Sequence, residues 1–391
     1  MTGGSERDSG LDLRLDRALS ELSADSLLRT LPPWDADGPG RVRTLDGRSL
    51  ISFASNDYLG LSAHPALIDA SARATRDHGT GGCASRLLAG GSAPHRLLEE
   101  KIAAFKGTEA SLAFGSGTAA AMGTLASLAG PGDVVILDKL SHACLVDAAK
   151  LSGAVLRVFP HNNVDRLRHL LGWARDNRPN AGIFVVTESI FSMDGDAAPL
   201  AEIVELKDRF GAWLLLDEAH AVGVRGRGGR GLAEESGLAH RVDIQMGTLG
   251  KALGGCGGFI AGSRKLVDFL VNKARTFVFS TAPSPGSAAA GSAAIDLLCS
   301  SEGEAILAKL RAHRSPLRAE SAIVPVRVGE ASDALRLSKY LLEAGFYVPA
   351  IRFPTVPRGT ARLRLSLSAT HTEAEIEQVF NAIATVREIC R

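Results

Sequence analysis

From Ala110 to Phe259 the chain alternates short apolar runs with amphipathic stretches, and no other feature restricts its fold as much. The runs are ASLAF, DVVILD, AVLRVF, GIFVVTE, WLLLD, DIQMG and GGFIAG; between them lie helical patterns such as NVDRLRHLLGWARDN and PLAEIVELKDRFG. Runs without a polar face are strands buried on both sides, and their alternation with helices predicts a mostly parallel sheet covered by helices. The expected fold class is α/β, with a smaller C-terminal α+β domain.

The flanks read differently. Residues 1–48 are expected to form an N-terminal arm: MTGGSERDSG as a disordered tail, leucines at helical spacing over 11–31, then the linker PPWDADGPG. RVRTL and RSLISF around Asp46-Gly47 predict a hairpin with a two-residue turn. The large α/β domain is placed at 49–286 and the small one at 287–391. The latter holds a strand near AIVPVRV, a helix over DALRLSKYLLEAG, and ARLRLSLS with strict period two. Thr372 and Glu375 are spaced as a capping box for the last helix.

Composition excludes several classes. Lys plus Arg (44) nearly balances Asp plus Glu (43), which argues against a polyanion-binding surface. Cys83, Cys144, Cys256, Cys299 and Cys390 are odd in number, without a C-x-x-C pair or a His at zinc spacing, so neither a disulfide framework nor a metal site is expected. There is no apolar run of the roughly 20 residues that span a bilayer and no secretory signal, and the expected location is the cytoplasm.

The chemistry-bearing residues cluster at strand ends. WLLLDEAH sets Asp217 and His220 at the carboxyl edge of the sheet, where such folds bind ligands, although an isolated D-x-x-H is more often a helix cap. MGTLGKALGG places Lys251 in a Gly-rich turn after Thr248, flanked by small apolar residues that would desolvate the amine and favour a neutral nucleophile. Ser116, Gly117 and Thr118 of GSGT open a helix after a strand, a cradle for phosphate; Ala120 stands where a dinucleotide fingerprint would have its third glycine. His142 of DKLSHAC and Ser192 of TESIFSMDGD follow two further strands. A phosphate cradle, an aromatic ring able to stack, a carboxylate, a second histidine and a nucleophilic lysine together match pyridoxal 5′-phosphate (PLP). Asp217 would meet the ring nitrogen, His142 stack on the ring, His220 and Ser192 reach the phenolic oxygen, and Lys251 hold the aldehyde carbon.

SNDYLGLS, GTGGCASRLLAGGSAPH, DKLSHA, TESIFSMDGD, DEAH, TLGKALGG and GTARLRLSLS occur in this order, and the chain thereby resembles the α-oxoamine synthase family of fold-type I PLP enzymes. The resemblance implies a PLP-binding large domain with a Schiff base to Lys251, and Lys251, His142, Asp217 and His220 as catalytic residues. It assigns cofactor binding to Gly117, Thr118, Ser192 and Thr248. It also implies a homodimer with shared active sites, where Ser280 or Thr281 of FSTAPSP reaches the neighbouring subunit's phosphate. Asn56, Thr355 and Arg364 match substrate positions, with Arg364 pairing with the amino-acid carboxylate; Arg362 and Arg364 share one face of an alternating strand, and an exposed sheet arginine is the alternative reading for either. The flanks SNDYLGLS, FPHNNV and IRFPTVPRGTARLRLSLS favour the branch that condenses L-alanine with a pimeloyl thioester, on coenzyme A or acyl carrier protein, in biotin biosynthesis. The alternatives are a sister synthase using glycine or another acyl thioester, a non-catalytic scaffold of the same fold, and a nucleotide-binding oxidoreductase built on GSGT. Thr118 and Ala121 depart from the aromatic and Asn common in the family, Cys83 stands in a loop usually of Gly or Ser, and the N-terminal arginine expected to meet the acyl carboxylate aligns with Leu28 or Arg29.

Overall fold

The structure, a computed structural model, describes residues 10–389. Residues 1–9 of the expected tail and Cys390 lie outside the described residues. Every apolar run named above forms a strand: β1 (Ala110–Phe114), β2 (Val134–Asp138), β3 (Val155–Phe159), β4 (Ile183–Glu188), β5 (Trp213–Asp217), β6 (Ile244–Thr248) and β7 (Gly258–Gly262). They make a seven-stranded sheet in the order β1-β7-β6-β5-β4-β2-β3. β7 runs antiparallel to both neighbours, while β6, β5, β4, β2 and β3 pair in parallel.

Successive residues of a strand point to opposite faces, so buried strands feed two cores. Val135 and Leu137 of β2 pack with Leu125, Leu145 and Leu270 on one face, and Val134 and Ile136 with Leu167, Leu171 and Val204 on the other. The covering helices on the first face are Gly117–Leu128, Ala143–Ser152 and Arg264–Lys273; on the second they are Val164–Asn177 and Leu200–Arg209. At the junction of β1 and β7 the backbone itself is close-packed: a Cβ on Gly258 would lie 2.6 Å from Gly117 Cα, so β7 meets the first turn of helix Gly117–Leu128 only because position 258 is glycine.

The chain divides into two compact units: a larger one, Ser55–Val324 with Ser366–Glu373, and a smaller one comprising the described parts of Met1–Ala54, Pro325–Leu365 and Ala374–Arg391. This division differs from sequence boundaries at 48/49 and 286/287. Helix Pro285–Leu298 belongs to the larger unit because its small residues admit close neighbours; a Cβ on Gly286 would lie 2.6 Å from Thr75 Oγ1, on helix Pro65–His78. Within the smaller unit, strands Asp35–Ala36, Arg41–Arg43, Ser49–Ser52 and Phe346–Tyr347 form one sheet, so two arm strands and Ser49–Ser52, which the sequence placed in the large domain, join a C-terminal strand.

Three local expectations change. The arm helix ends at Ala24, because Ser26 takes a left-handed conformation (φ 58°) and the amides of Leu27 and Leu28 turn back to the Leu22 carbonyl. Thr44 N–H bonds to Arg48 C=O, leaving Leu45-Asp46-Gly47 as a three-residue hairpin loop with Gly47 at φ 84°. Strand Ala361–Ser366 is buried along its whole length, so its period-two pattern marks no solvent face, and Arg362 (4% exposed) and Arg364 (5%) are both buried. The last helix starts at Glu373, directly after Thr372, and Glu375 binds Arg41.

Candidate active site

The carboxyl edge of the seven-stranded sheet gathers most of the residues singled out above. Thr248 ends β6 and its hydroxyl organises the next turn, donating to Gly257 C=O at 2.9 Å and accepting from Gly250 N–H at 3.1 Å. Because β7 returns antiparallel, the segment 249–257 is a hairpin loop, closed by Leu249 N–H on Gly257 C=O. Lys251 sits in that loop, half-buried, with Nζ 2.8 Å from His220 Nε2.

His220 is buried beside the strand end of β5 and bridges two partners: its Nδ1 lies 2.7 Å from the Tyr58 hydroxyl, which donates to Asn56 Oδ1 at 3.1 Å. With Nε2 accepting from Lys251 and the hydroxyl committed to Asn56, the ring proton is assigned to Nδ1. Lys251, His220, Tyr58 and Asn56 thus form one chain of hydrogen bonds. Asp217 is buried at the end of β5, with Oδ1 accepting from Ala219 N–H at 2.9 Å. The cap-like bond that an ordinary D-x-x-H makes is therefore present, and it occupies one oxygen of the carboxylate. Burial raises the Asp217 pKa; Lys251 and the turn amide oppose it.

His142 caps helix Ala143–Ser152: its Nδ1 accepts from Cys144 N–H at 3.2 Å and lies 3.0 Å from Cys144 Sγ. Burial pushes the Cys144 thiol up to about 12, so the thiol keeps its proton and His142 Nδ1 is an acceptor. The exchangeable ring proton falls on Nε2. Desolvation is the largest influence on the His142 pKa and lowers it, with Asp217 opposing and Lys251 assisting. Ser116 caps helix Gly117–Leu128 by accepting from Ala119 N–H at 3.0 Å, leaving the helix N-terminus at the edge next to β7.

A bracket lies behind these groups. Asp138, last in β2, accepts from Leu140 N–H and Asn162 N–H; His161 spans from Asp138 Oδ1 (3.2 Å) to Asp196 Oδ2 (2.7 Å) with its ring edge-on to Phe191. Burial alone would lower the His161 pKa, but the two carboxylates overcome it and hold the imidazolium up to about 10. The loop carrying His142 and the loop carrying Ser192 are thereby fixed to one charge cluster.

Sequence reasoning overlooked Tyr58, Cys144, Glu188 and His161. Glu188 carried the same signal as Asp217, a carboxylate ending an apolar strand, and it pairs in register with Asp217. Tyr58 and His161 lay inside SNDYLGLS and FPHNNV. Arg29, Thr355 and Arg364 belong to the smaller unit, where Arg29 donates to Phe353 C=O at 3.1 Å, and Thr355 N–H bonds to Arg352 C=O. Ser280 and Thr281 are exposed, Thr281 bridging to Ser85. Among the described residues no cluster of metal-ligating side chains occurs, the cysteines are free, and no helix is long and apolar enough to cross a membrane.

A mixed sheet with one reversed strand, a lysine in the hairpin loop that the reversal creates, and a buried Asp on the strand paired with that hairpin define a class of group-transfer enzymes. The family model for aminotransferase class I and II matches residues 48–383, and the chain belongs to that family. Within it, the chain is 44% identical over 380 residues to 8-amino-7-oxononanoate synthase of Geobacter sulfurreducens, covering 94% of this chain and 96% of that one. It is 46% identical to the enzyme of the same name from Anaeromyxobacter dehalogenans, covering 94% of each. Among solved structures it is similar to serine palmitoyltransferase from S. paucimobilis with bound PLP, with a TM-score of 0.89 at 29% identity, covering 98% of this chain and 99% of that one. The fold is that of the fold-type I PLP-dependent transferases.

Proposed function

We propose that this chain condenses L-alanine with a pimeloyl thioester, releasing carbon dioxide and the free thiol carrier and giving 8-amino-7-oxononanoate for biotin biosynthesis. The observation that carries the reading is the 2.8 Å contact of Lys251 Nζ with His220 Nε2 beside the strand end that holds Asp217. The residues fit PLP: a helix N-terminus at Ser116–Gly117 suits a dianionic phosphate, a buried carboxylate suits a ring nitrogen, and an amine among glycines suits an aldehyde.

PLP supplies an aldehyde carbon and an electron-accepting ring. The protein's part is proton handling and orientation. Lys251 must be neutral to attack a carbonyl, and His220 Nε2 is placed to accept its proton. A free Lys251 amine would serve as the base for the substrate α-proton. Asp217 would hold the ring nitrogen with a carboxylate that favours its protonated form, and Ser192, together with His220 Nε2 once it carries the proton taken from Lys251, would donate to the phenolic oxygen. His142 presents a neutral ring with its proton on Nε2. Arg364 is assigned the alanine carboxylate on chemical grounds, since a planar guanidinium matches it bidentately, with Asn56 and Thr355 as further substrate contacts and Arg29 as the cation for the far acyl carboxylate. The exposed Ser280 and Thr281 fit a role in the neighbouring site of a homodimer, and a reducing cytoplasm fits the free cysteines.

Incubating the purified chain with PLP, L-alanine or glycine, and pimeloyl thioesters of coenzyme A and acyl carrier protein tests this. Mass spectrometry is expected to find 8-amino-7-oxononanoate from alanine. Condensation with glycine alone, or none with either amino acid, overturns the reading.

A further inference from the structure

His95 stands in helix Ala93–Lys106, fully buried, and is used by no step above. Its ring is engaged at both ends. Ser92 N–H donates to Nδ1 at 3.2 Å, with Ser92 Oγ 2.7 Å from the same nitrogen, and Nε2 lies 2.9 Å from the carbonyl of Pro283, 188 residues away in the chain. An accepting Nδ1 and a carbonyl that can only accept place the ring proton on Nε2, which donates to Pro283. Burial lowers the His95 pKa, in keeping with a neutral ring.

Pro283 belongs to FSTAPSP, and that segment is tied to the glycine-rich loop 79–92. Ala282 N–H donates to Ala84 C=O at 2.9 Å, Thr281 forms an antiparallel bridge with Ser85, and a Cβ on Gly82 would lie 2.7 Å from that of Ala282. Arg86 anchors the loop in turn to helix Ala93–Lys106 through a two-pronged pair with Glu99, both contacts 2.9 Å. Ala84, Ser85, Ala282 and Pro283 are buried or half-buried, whereas Ser280 and Thr281 are exposed, and the same two segments expose Phe279 (72%) and Leu88 (80%). Capping a helix requires only the Nδ1 end of the ring, so the cap alone does not account for the bond to Pro283.

We propose that His95 is a positioning residue that acts across the interface with a second copy of this chain: its Nε2–H holds Pro283 so that the two segments form one rigid platform, from which Ser280 or Thr281 reaches the cofactor phosphate in the partner's site. The inference rests on the function proposed above. Hydroxyls and apolar side chains that are already held in place lose little freedom when a second surface covers them, so fixing the platform beforehand lowers the cost of completing the neighbouring site. Releasing Pro283 leaves its carbonyl without that donor and lets the segment drift from the loop that steadies it.

The test uses the full chain with PLP as probe; the readout is PLP trapped on Lys251 by borohydride and counted by mass spectrometry across a PLP titration. An asparagine amide reaches only as far as Nδ1 and a glutamine amide as far as Nε2, so H95N gives up Pro283 while H95Q can keep it. H95N is expected to take up PLP about 10-fold more weakly than the parent, and H95Q to stay within about threefold of it. Mixed dimers of H95N with K251A separate a role across the interface from one inside the subunit. In them only the H95N chain can hold PLP on lysine, and the K251A chain supplies that site with an intact platform, so the affinity is expected to return to the parent's. Should H95N not fold, G82A, whose added Cβ displaces Ala282, is expected to show the same loss and the same recovery in the mixed dimer. Uptake that stays weak in the mixed dimer overturns the inference, as do parent-like uptake by H95N, a loss in H95Q equal to that in H95N, and a parent that takes up PLP as a monomer. A parent chain that takes up no PLP on Lys251 overturns the proposed function itself, before any variant is compared.

Discussion

Asp217 and Glu218 are neighbours in the chain, both are buried, and they face opposite company. Glu218 accepts Lys106 Nζ at 2.5 Å on one oxygen and Ala233 N–H at 2.9 Å on the other, with side chains 1% and 0% exposed, and Lys106 donates also to Arg230 C=O. Asp217 has one turn amide and, across the register, a second carboxyl. The Lys106 side is a closed network whose donors and acceptors are nearly all used, which locks the turn that carries His220. On the Asp217 side two buried carboxyls stand in register and burial raises the pKa of each, the kind of perturbation that gathers at functional sites. One residue step separates a structural anchor from a binding group.

The comparison breaks first at Lys251. Replacing it with Ala is expected to lower turnover by about a thousandfold or more while the unfolding free energy of the PLP-free protein moves by less than about 1 kcal/mol; steady-state assays and urea titration check both. Next, Asp217→Asn should cost about 10²- to 10⁴-fold in kcat, because a neutral amide cannot stabilise a protonated ring nitrogen, with little change in stability. Lys106→Met should reverse that pattern: an uncompensated buried Glu218 costs about 3–5 kcal/mol in denaturant unfolding, and the double change Lys106→Met with Glu218→Leu should recover much of it. Equal effects of Asp217→Asn and Lys106→Met on both readouts would erase the distinction between the two sides.

Smaller effects sharpen it. His161 has a folded-state pKa raised to about 10, so its contribution to stability is fully present below the ordinary imidazole range and is lost as pH rises through the folded value. His161→Gln should therefore cost about 1–3 kcal/mol at pH 6 and distinctly less at pH 10, measured by urea unfolding at both pH values. Tyr58→Phe removes the hydroxyl beside His220 Nδ1 and should slow turnover by only about 3- to 10-fold, since Lys251 still holds the other ring nitrogen.

The seven central strands were legible because burial on both faces leaves no polar residue inside a run, as in VVILD and WLLLD. Lys251, Asp217, His220 and His142 were legible because each ends such a run or follows it within four residues with a charged or titratable group. Glu188 was passed over although, like Asp217, it ends an apolar strand. Arg362 and Arg364 misled in the other direction: alternation in RLRLSLS marks a solvent face only when one side is left open, and that strand has none. Ser49–Ser52 was assigned to the large domain, apart from the C-terminal segment, because its pairing with Phe346–Tyr347 joins stretches nearly three hundred residues apart, beyond any local signal.

The reversal of β7 also has a bearing on how the chain can vary. A crossover helix can lengthen or shift without moving the strand ends it joins, but the loop 249–257 is tied at both ends by adjacent antiparallel strands and across its mouth by Leu249 N–H on Gly257 C=O. Lengthening it by even one residue would swing the amine off its imidazole or unzip the first rung of the ladder. Insertions and loop grafts should therefore be accepted on the surface around this hairpin far more readily than within it.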